Sequence, residues 1–516
     1  KVLELAPLSQ KDIILAVEQS DSDSSDFVRL VCDNNLQSFC LDPQSLNPLI
    51  DGYKNGFLKK GIQRAELYER LIKDKCTEVN SEHKGKKNLT PDERFNFTAR
   101  IAAYCILSNR TAIWIDEDKG LSLDSDLVLD QLVRDHFKID DKDHLIENKR
   151  DLKEVLDTAV FSIGNQNFRF VFKHRGEQEF LAAWHLNKLY LNNNQLAQLL
   201  TSANDRFRGI PQIQEVIVWL ATLNQSTFSL MMEKEPLLLL RSEREFTISE
   251  RKSLLKSIVS NAKDFKIVDT YDDERYYNKL NFPQISRIIK PFLLKKTNTS
   301  LQRICIHIAQ ACSASSVQTE LLLILRDKTI STYLRKQALE ALTSTKKRKT
   351  LSMLIPFAIE ENNDDTDDEI KGAALKALYP EMLSIKDVLK SLTPIKRDSL
   401  YGSYKGFLDT LNESIPDCNL DIAVEFISNW DVDFITRNSL SPFERLRIKI
   451  LERAYHHLET GNILISVVKC IKLCLKHHFQ FTRPDNINER RLISKSLIES
   501  WDSNLFIHQL TSSHGG

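Results

Sequence analysis

Leu334-Arg335-Lys336-Gln337-Ala338-Leu339-Glu340-Ala341-Leu342 and Ile370-Lys371-Gly372-Ala373-Ala374-Leu375-Lys376-Ala377-Leu378 are two copies of one pattern, 36 residues apart. In both, the apolar residues return at helical spacing. A weaker third copy begins 33 residues earlier at Leu301, with Ile306, Ile308 and Ala309 in register. A helix pair of this length cannot bury its apolar face alone, so such repeats stack on one another. Residues 285–516 are therefore expected to form a HEAT-like helical array, an α-solenoid.

Composition extends this reading to the rest of the chain. Gly and Pro together supply 28 of 516 residues, about 5% where an average soluble protein carries about 12%. Sandwiches, barrels and propellers use Gly and Pro at every reversal, so the expected class is mainly α. Hydrophobic residues at 42% are enough for packed cores and too many for a disordered chain. Lys plus Arg equals Asp plus Glu at 71 each, so the global charge does not indicate nucleic acid. The nine cysteines include no C-x-x-C pair, which suits buried thiols in a reducing, cytoplasmic setting. The most apolar run, 463–475, is interrupted by Lys469 and Lys472 and is shorter than the ~20 residues a bilayer requires, so it reads as a buried helix.

From its start, the chain divides by pattern. Val2-Leu3-Glu4-Leu5 alternates like a strand with no partner of its own, so residues 1–6 read as the last strand of an upstream domain. Residues 7–86 form a helical domain, opened by a capping box of Ser9 and Asp12. The polar stretch 82–92 closes it. Residues 87–190 begin with a helix over 92–108 and continue to a helix over 127–136. Ala159-Val160-Phe161-Ser162 and Phe168-Arg169-Phe170-Val171-Phe172, joined by a Gly164-Asn165 turn, then predict a β-hairpin. Helices, one hairpin and a further helix over 177–190 suggest a winged-helix domain. Residues 191–284 read as a second helical domain or linker array, in which Thr247 and Glu250 form another capping box.

Several candidate sites have a plainer explanation. Neither G-x-x-x-x-G-K-[ST] nor G-x-G-x-x-G occurs. Asp116-Glu117-Asp118-Lys119-Gly120 has its Gly one place early for a calcium loop and no closing Glu. Cys470, Cys474, His477 and His478 share helical reach, but the stretch is apolar and reads as core. Lys346-Lys347-Arg348-Lys349 is followed by the acidic run Asp364 to Glu369, and both read as solvated loops between helices. His174 stands apart. It lies between a predicted strand and a predicted helix, where helix N-terminal amides are available to an anion. A structural histidine is the alternative at that position.

Phe172-Lys173-His174-Arg175-Gly176-Glu177-Gln178-Glu179-Phe180-Leu181-Ala182-Ala183 resembles the F-x-H-x-x-x-q-E-F-l-A-A signature that closes the winged-helix domain of NACHT-type STAND nucleotidases. Leu3-Glu4-Leu5-Ala6-Pro7-Leu8 is similar to the L-x-L-x-P-L by which that family enters its first helical domain. Pro43 with Ser45-Leu46, and Glu66-Leu67-Tyr68, resemble its P-x-s-L and e-L-Y elements. These features fall in the family's order over the first 183 residues. Glu369-Ile370-Lys371-Gly372 to Tyr379-Pro380, and Gly402-Ser403-Tyr404-Lys405-Gly406-Phe407-Leu408, look like array segments of bacterial members, some of which act in antiphage defence.

The resemblance implies an ATP-dependent switch whose ADP-bound form is a closed monomer. By carry-over, His174 contacts the β-phosphate and Pro43 packs near the adenine, although Leu41-Asp42 before Pro43 departs from the family's small residue. Capture of a protein ligand, such as a phage protein, by the array would favour an open form that exchanges ADP for ATP and forms a homo-oligomer. The P-loop ATPase core with its magnesium is expected upstream, so these residues hold no cofactor by themselves and are not expected to be an enzyme. The competing expectation is a helical-repeat scaffold that binds proteins and no nucleotide. Neither a membrane nor nucleic acid is an expected partner.

Overall fold

A computed structural model describes residues 8–34, 36–40, 43–59, 64–77, 89–116, 122–128, 138–139, 142–143, 149–164, 168–202, 208–242, 244–264, 266–267, 274–294, 298–360, 364–396, 402–430, 441–459, 462–477 and 481–500. The strand expected at residues 1–6 lies outside them. The described residues are mainly helical, with one four-stranded sheet and one two-stranded ribbon. The chain divides into two compact units, Lys1–Asn261 and Ala262–Gly516.

In the first unit, local chemistry places the helix starts where the sequence puts them. Ser9 and Asp12 close a reciprocal capping box on Gln10–Gln19. Asp23 accepts from the amides of Ser25 and Asp26 to start Ser24–Asp33. Thr247 and Glu250 form the second predicted box at 2.9 and 3.2 Å. The helix Arg175–Lys188 is the hub. It packs on Pro91–Leu107 and Gln214–Leu223 and touches Arg64–Thr77. Phe180 is fully buried and meets Tyr68 at 5.4 Å and Trp219 at 5.1 Å, while Phe95 meets Trp184 at 4.9 Å. Buried aromatics of this size contribute roughly 2–3 kcal/mol each by area.

The expected hairpin is present as β5 (Phe161–Ile163) and β6 (Arg169–Phe172), with Phe161 opposite Phe172 and Ile163 opposite Phe170. It belongs to a larger sheet in which β2 (Asp126–Val128), β1 (Ala112–Trp114), β6 and β5 follow in that order, while β3 (Lys138–Ile139) and β4 (Lys142–Asp143) pair separately. β1 pairs antiparallel with β6 and parallel with β2. The helix expected over 127–136 is therefore corrected at its start, since Leu127 and Val128 are in β2; residues 129–136 lie outside the described set. β1 and β2 are each three residues long with buried residues on both faces, so neither shows the alternation by which a strand is recognised.

The second unit is built from two rows of helices. Thr299–Ala311, Thr332–Thr343, Glu369–Leu378, Ser403–Ser414 and Pro442–Tyr455 pack each on the next. Beside them run Ile285–Leu293, Gln318–Arg326, the pair Arg348–Ser352 and Ile355–Ile359, Ile385–Ser391, Leu420–Ser428 and Ile463–His477. The three sequence copies fall on the first three helices of the first row.

Polar contacts at near-constant separation hold the rows in register. Lys336 Nζ lies 2.8 Å from Glu369 Oε2, 33 residues on, and Ser403 N donates to Glu369 Oε1 at 2.8 Å, 34 residues on. Arg445 pairs with Asp409 at 2.7 Å across 36 residues. The acidic run is thus not a solvated loop throughout. Asp365 and Asp368 are each 1% exposed; Asp365 Oδ2 accepts from the Lys371 amide, and Lys396 Nζ lies 2.9 Å from Asp368 Oδ1. The basic run 346–349 is exposed, as expected. Among the described residues no helix is long and apolar enough to cross a membrane, and Ile463–His477 is a helix of 15 residues with a buried face.

Candidate functional site

His174 lies where β6 gives way to the helix Arg175–Lys188. Phe170 of β6 pairs with Ile113 on one side and Ile163 on the other, Phe172 pairs with Phe161, and Lys173 N extends the pairing by donating to Val160 O at 3.1 Å. His174 then takes extended angles, φ −126° and ψ 121°, as the residue before the helix, and its carbonyl accepts the first helical bond from Gln178 N at 3.2 Å. Its side chain makes no capping bond to the helix amides. The first-turn amides have no intrahelical acceptor, and His174, just before them, is half-exposed. Gly176 is exposed, and a Cβ built there would meet nothing within 4 Å, so the backbone is open to a ligand. This geometry fits an anion such as a phosphate.

The buried side of the same turn is anchored. Lys75 Nζ lies 2.7 Å from Glu177 Oε1, with the two side chains 2% and 5% exposed. The Lys75 carbonyl also accepts from Ala159 N at 3.4 Å, so the residue ties together the Arg64–Thr77 helix, the approach to β5 and the helix led by His174. A carboxylate in the first turn also suits the helix dipole. On the outer side, Arg175 Nε donates to Glu179 Oε1 at 2.8 Å. Nearby, Arg94 Nη1 stands 3.7 Å from Glu154 Oε1.

The motif residues are brought together unevenly. Tyr68, from Glu66-Leu67-Tyr68, packs on Phe180 of the signature segment. Glu177, Gln178 and residues 180–183 of that segment are all buried, so half of the signature is core. Pro43 opens the helix Pro43–Lys54, which packs on Arg64–Thr77; its side chain lies outside the described residues. Pro43 and His174 thus belong to two helices that both pack on Arg64–Thr77. Lys75 escaped the sequence reading, yet it had a signal: with Tyr68 and Ile72 it continues an apolar face at helical spacing, where a charge is out of place.

Cys470 and Cys474 are buried on Ile463–His477, while His478 and residues 117–120 lie outside the described set. Among the described residues no cluster of three His, Cys, Asp or Glu is arranged to hold a metal ion. Burial pushes the Cys40, Cys76 and Cys105 thiols up to about 12, so they are protonated and poor nucleophiles at neutral pH.

His185, two turns beyond the first turn, is 3% exposed, and burial pushes its imidazole down to about 4, with the Arg100 charge adding to the shift. The unfolded chain binds this proton near 6.5, so it holds more protons than the folded chain between those values. Stability should be full above pH 6.5 and fall by about 3 kcal/mol as pH drops to about 4. Urea midpoints at pH 7, 6, 5 and 4.5 should show this slope, and His185→Gln should flatten it. Parallel pH profiles for the two proteins would contradict the assignment.

No protein-family model, curated protein or solved structure gives a significant match to this chain. The fold and site therefore define its class on their own: a mainly helical protein in which a small sheet delivers a histidine to the start of a buried helix.

Proposed function

We propose that this chain is the regulatory and ligand-sensing part of a bacterial NACHT-type STAND switch, cytoplasmic and acting in antiphage defence. One observation carries the reading. Two motifs far apart in the sequence, Glu66-Leu67-Tyr68 and Glu179-Phe180-Leu181-Ala182-Ala183, meet in one core through Tyr68 and Phe180 at 5.4 Å. The contact supports the reading because it places both motifs, more than 100 residues apart in sequence, in the same core. Residues 87–190, which hold β5 and β6, are read as the winged-helix domain, and the two helical rows within residues 285–516 as a HEAT-like solenoid.

In this reading the ADP β-phosphate would be held by the His174 imidazole and the amides of Arg175 and Gly176, and Pro43 would lie on the adenine side. Magnesium and the P-loop belong to the family's nucleotidase core, whose motifs do not occur in these 516 residues. Lys75 and Glu177 fix the turn that presents His174. A protein bound to the repeats would shift the closed–open equilibrium, and with it nucleotide exchange and homo-oligomer formation, by the difference in its affinity for the two forms.

The test is ADP affinity in the full-length protein carrying its nucleotidase domain. A hydrogen bond to a charged group contributes about 1.5–3 kcal/mol, so His174→Ala should weaken ADP roughly 10- to 100-fold by calorimetry. Equal affinities would reject the reading. The two stacked rows would then favour the alternative, a helical-repeat scaffold that binds proteins without nucleotide.

A further inference from the structure

Neighbouring helices in one row of the second unit each expose a large apolar side chain. Leu294 follows Ile285–Leu293, Leu323 lies on Gln318–Arg326, and Met353 and Ile359 lie on the pair Arg348–Ser352 and Ile355–Ile359; they are 39% to 51% exposed. The helices are side by side: Lys290 Nζ lies 2.8 Å from Glu320 Oε1, and Thr350 Oγ1 donates to Gln318 Oε1 at 2.9 Å. The stripe is bounded. The next helix of the row, Ile385–Ser391, exposes Lys386, Asp387 and Lys390 in its place.

Charge around the stripe has one predominant sign. Arg287 lies two turns before Leu294, Arg326 one turn after Leu323, and Lys349 one turn before Met353, all three exposed. Among the described residues beside them, Glu360 is an exposed carboxylate and Asp327, next to Arg326, is half-exposed. Apolar patches with a polar rim mark interaction surfaces on soluble proteins.

We propose that this stripe is the docking surface for an acidic amphipathic helix of a partner protein. Three helices spaced about 8–10 Å apart give a stripe about 20 Å long, which a helix of roughly 13 residues would span at 1.5 Å per residue. Its apolar residues would sit among Leu294, Leu323, Met353 and Ile359, and its carboxylates would meet Arg287, Arg326 and Lys349. An anionic membrane would satisfy the same charge. However, side chains no more than about half exposed suit a partner that fits between them better than insertion into lipid. The inference rests on reading the repeats as the partner-binding part, and not on His174.

The probe is a displayed library of randomised 16-residue peptides selected on the 516-residue chain, with fluorescence anisotropy of the enriched sequences. Enrichment of peptides with apolar residues at helical spacing and flanking Asp or Glu is expected. Leu323→Glu and Ile359→Glu, with unchanged thermal midpoints, should each weaken them at least about tenfold. Arg326→Glu should weaken them and reduce their salt dependence, and Lys386→Glu on the bounding helix should leave them unchanged. The proposal fails if no peptide is enriched, if enriched peptides lack acidic residues, or if the Leu323 and Ile359 variants bind them normally. It also fails if vesicles with 30% phosphatidylserine are bound through Leu323 in place of peptides. His174→Ala should not alter peptide binding, so loss of the nucleotide reading alone would leave this result standing.

Discussion

Gly372→Ala should destabilise the second unit by more than about 3 kcal/mol. A Cβ at Gly372 would lie 2.1 Å from the Tyr404 amide nitrogen and 2.4 Å from Tyr404 Cα and the Ser403 carbonyl carbon. These are backbone atoms at the start of the neighbouring helix, so no rotamer change can relieve the clash. The helices Glu369–Leu378 and Ser403–Ser414 would have to move apart by more than 1 Å, to reach the ordinary contact of about 3.5 Å. That movement would also pull Ser403 from Glu369 and disturb the fully enclosed Tyr404 side chain. Gly406→Ala is the matched control. It lies inside Ser403–Ser414 with nothing within 4 Å of a new Cβ. That change should therefore stabilise by about 0.5–1 kcal/mol through helix propensity. Urea unfolding followed by circular dichroism separates the two variants, and a wild-type midpoint for Gly372→Ala would show that the close approach is not real.

Lys75→Met should cost about 3–5 kcal/mol, because it leaves the Glu177 carboxylate in the core without its counter-charge. Among the described residues Glu177 Oε2 has no hydrogen-bond partner, and the Lys75 ammonium is the donor that the carboxylate would lose. The double variant Lys75→Met/Glu177→Leu should return to within about 1 kcal/mol of the parent, since a well-packed apolar pair is often no worse than a buried ion pair. Unfolding midpoints of the parent, both single variants and the double variant give the coupling energy directly. A loss below about 1 kcal/mol in Lys75→Met would mean that the pair does not anchor the helix behind His174.

Helix positions and their starts were legible because their causes are local. Ser9 with Asp12 and Thr247 with Glu250 each bond across three residues, and their geometry needs no tertiary partner. The 33- and 36-residue recurrences were legible for a similar reason: each copy meets the same environment as the last and so needs the same residues. β1 and β2 were not legible. A three-residue strand buried on both faces has no pattern of its own; β1 exists because Arg169 and Phe170 of β6 supply its antiparallel partners, and β2 because β1 supplies parallel ones.

The sequence by itself determined the mainly helical class, the β5–β6 hairpin, the repeat period and the position of His174 between strand and helix, all of which follow from spacing and cap chemistry along the chain. The tertiary structure alone decided that Lys75 and Glu177 are an ion pair, that Tyr68 rests on Phe180, that Gly372 admits the Tyr404 backbone, and that Asp365 and Asp368 are buried within a run that reads as solvated. Each of these depends on which surfaces meet across more than 20 residues of chain. A residue's type and local spacing state what it can do, and only the neighbour brought against it by packing selects among those possibilities.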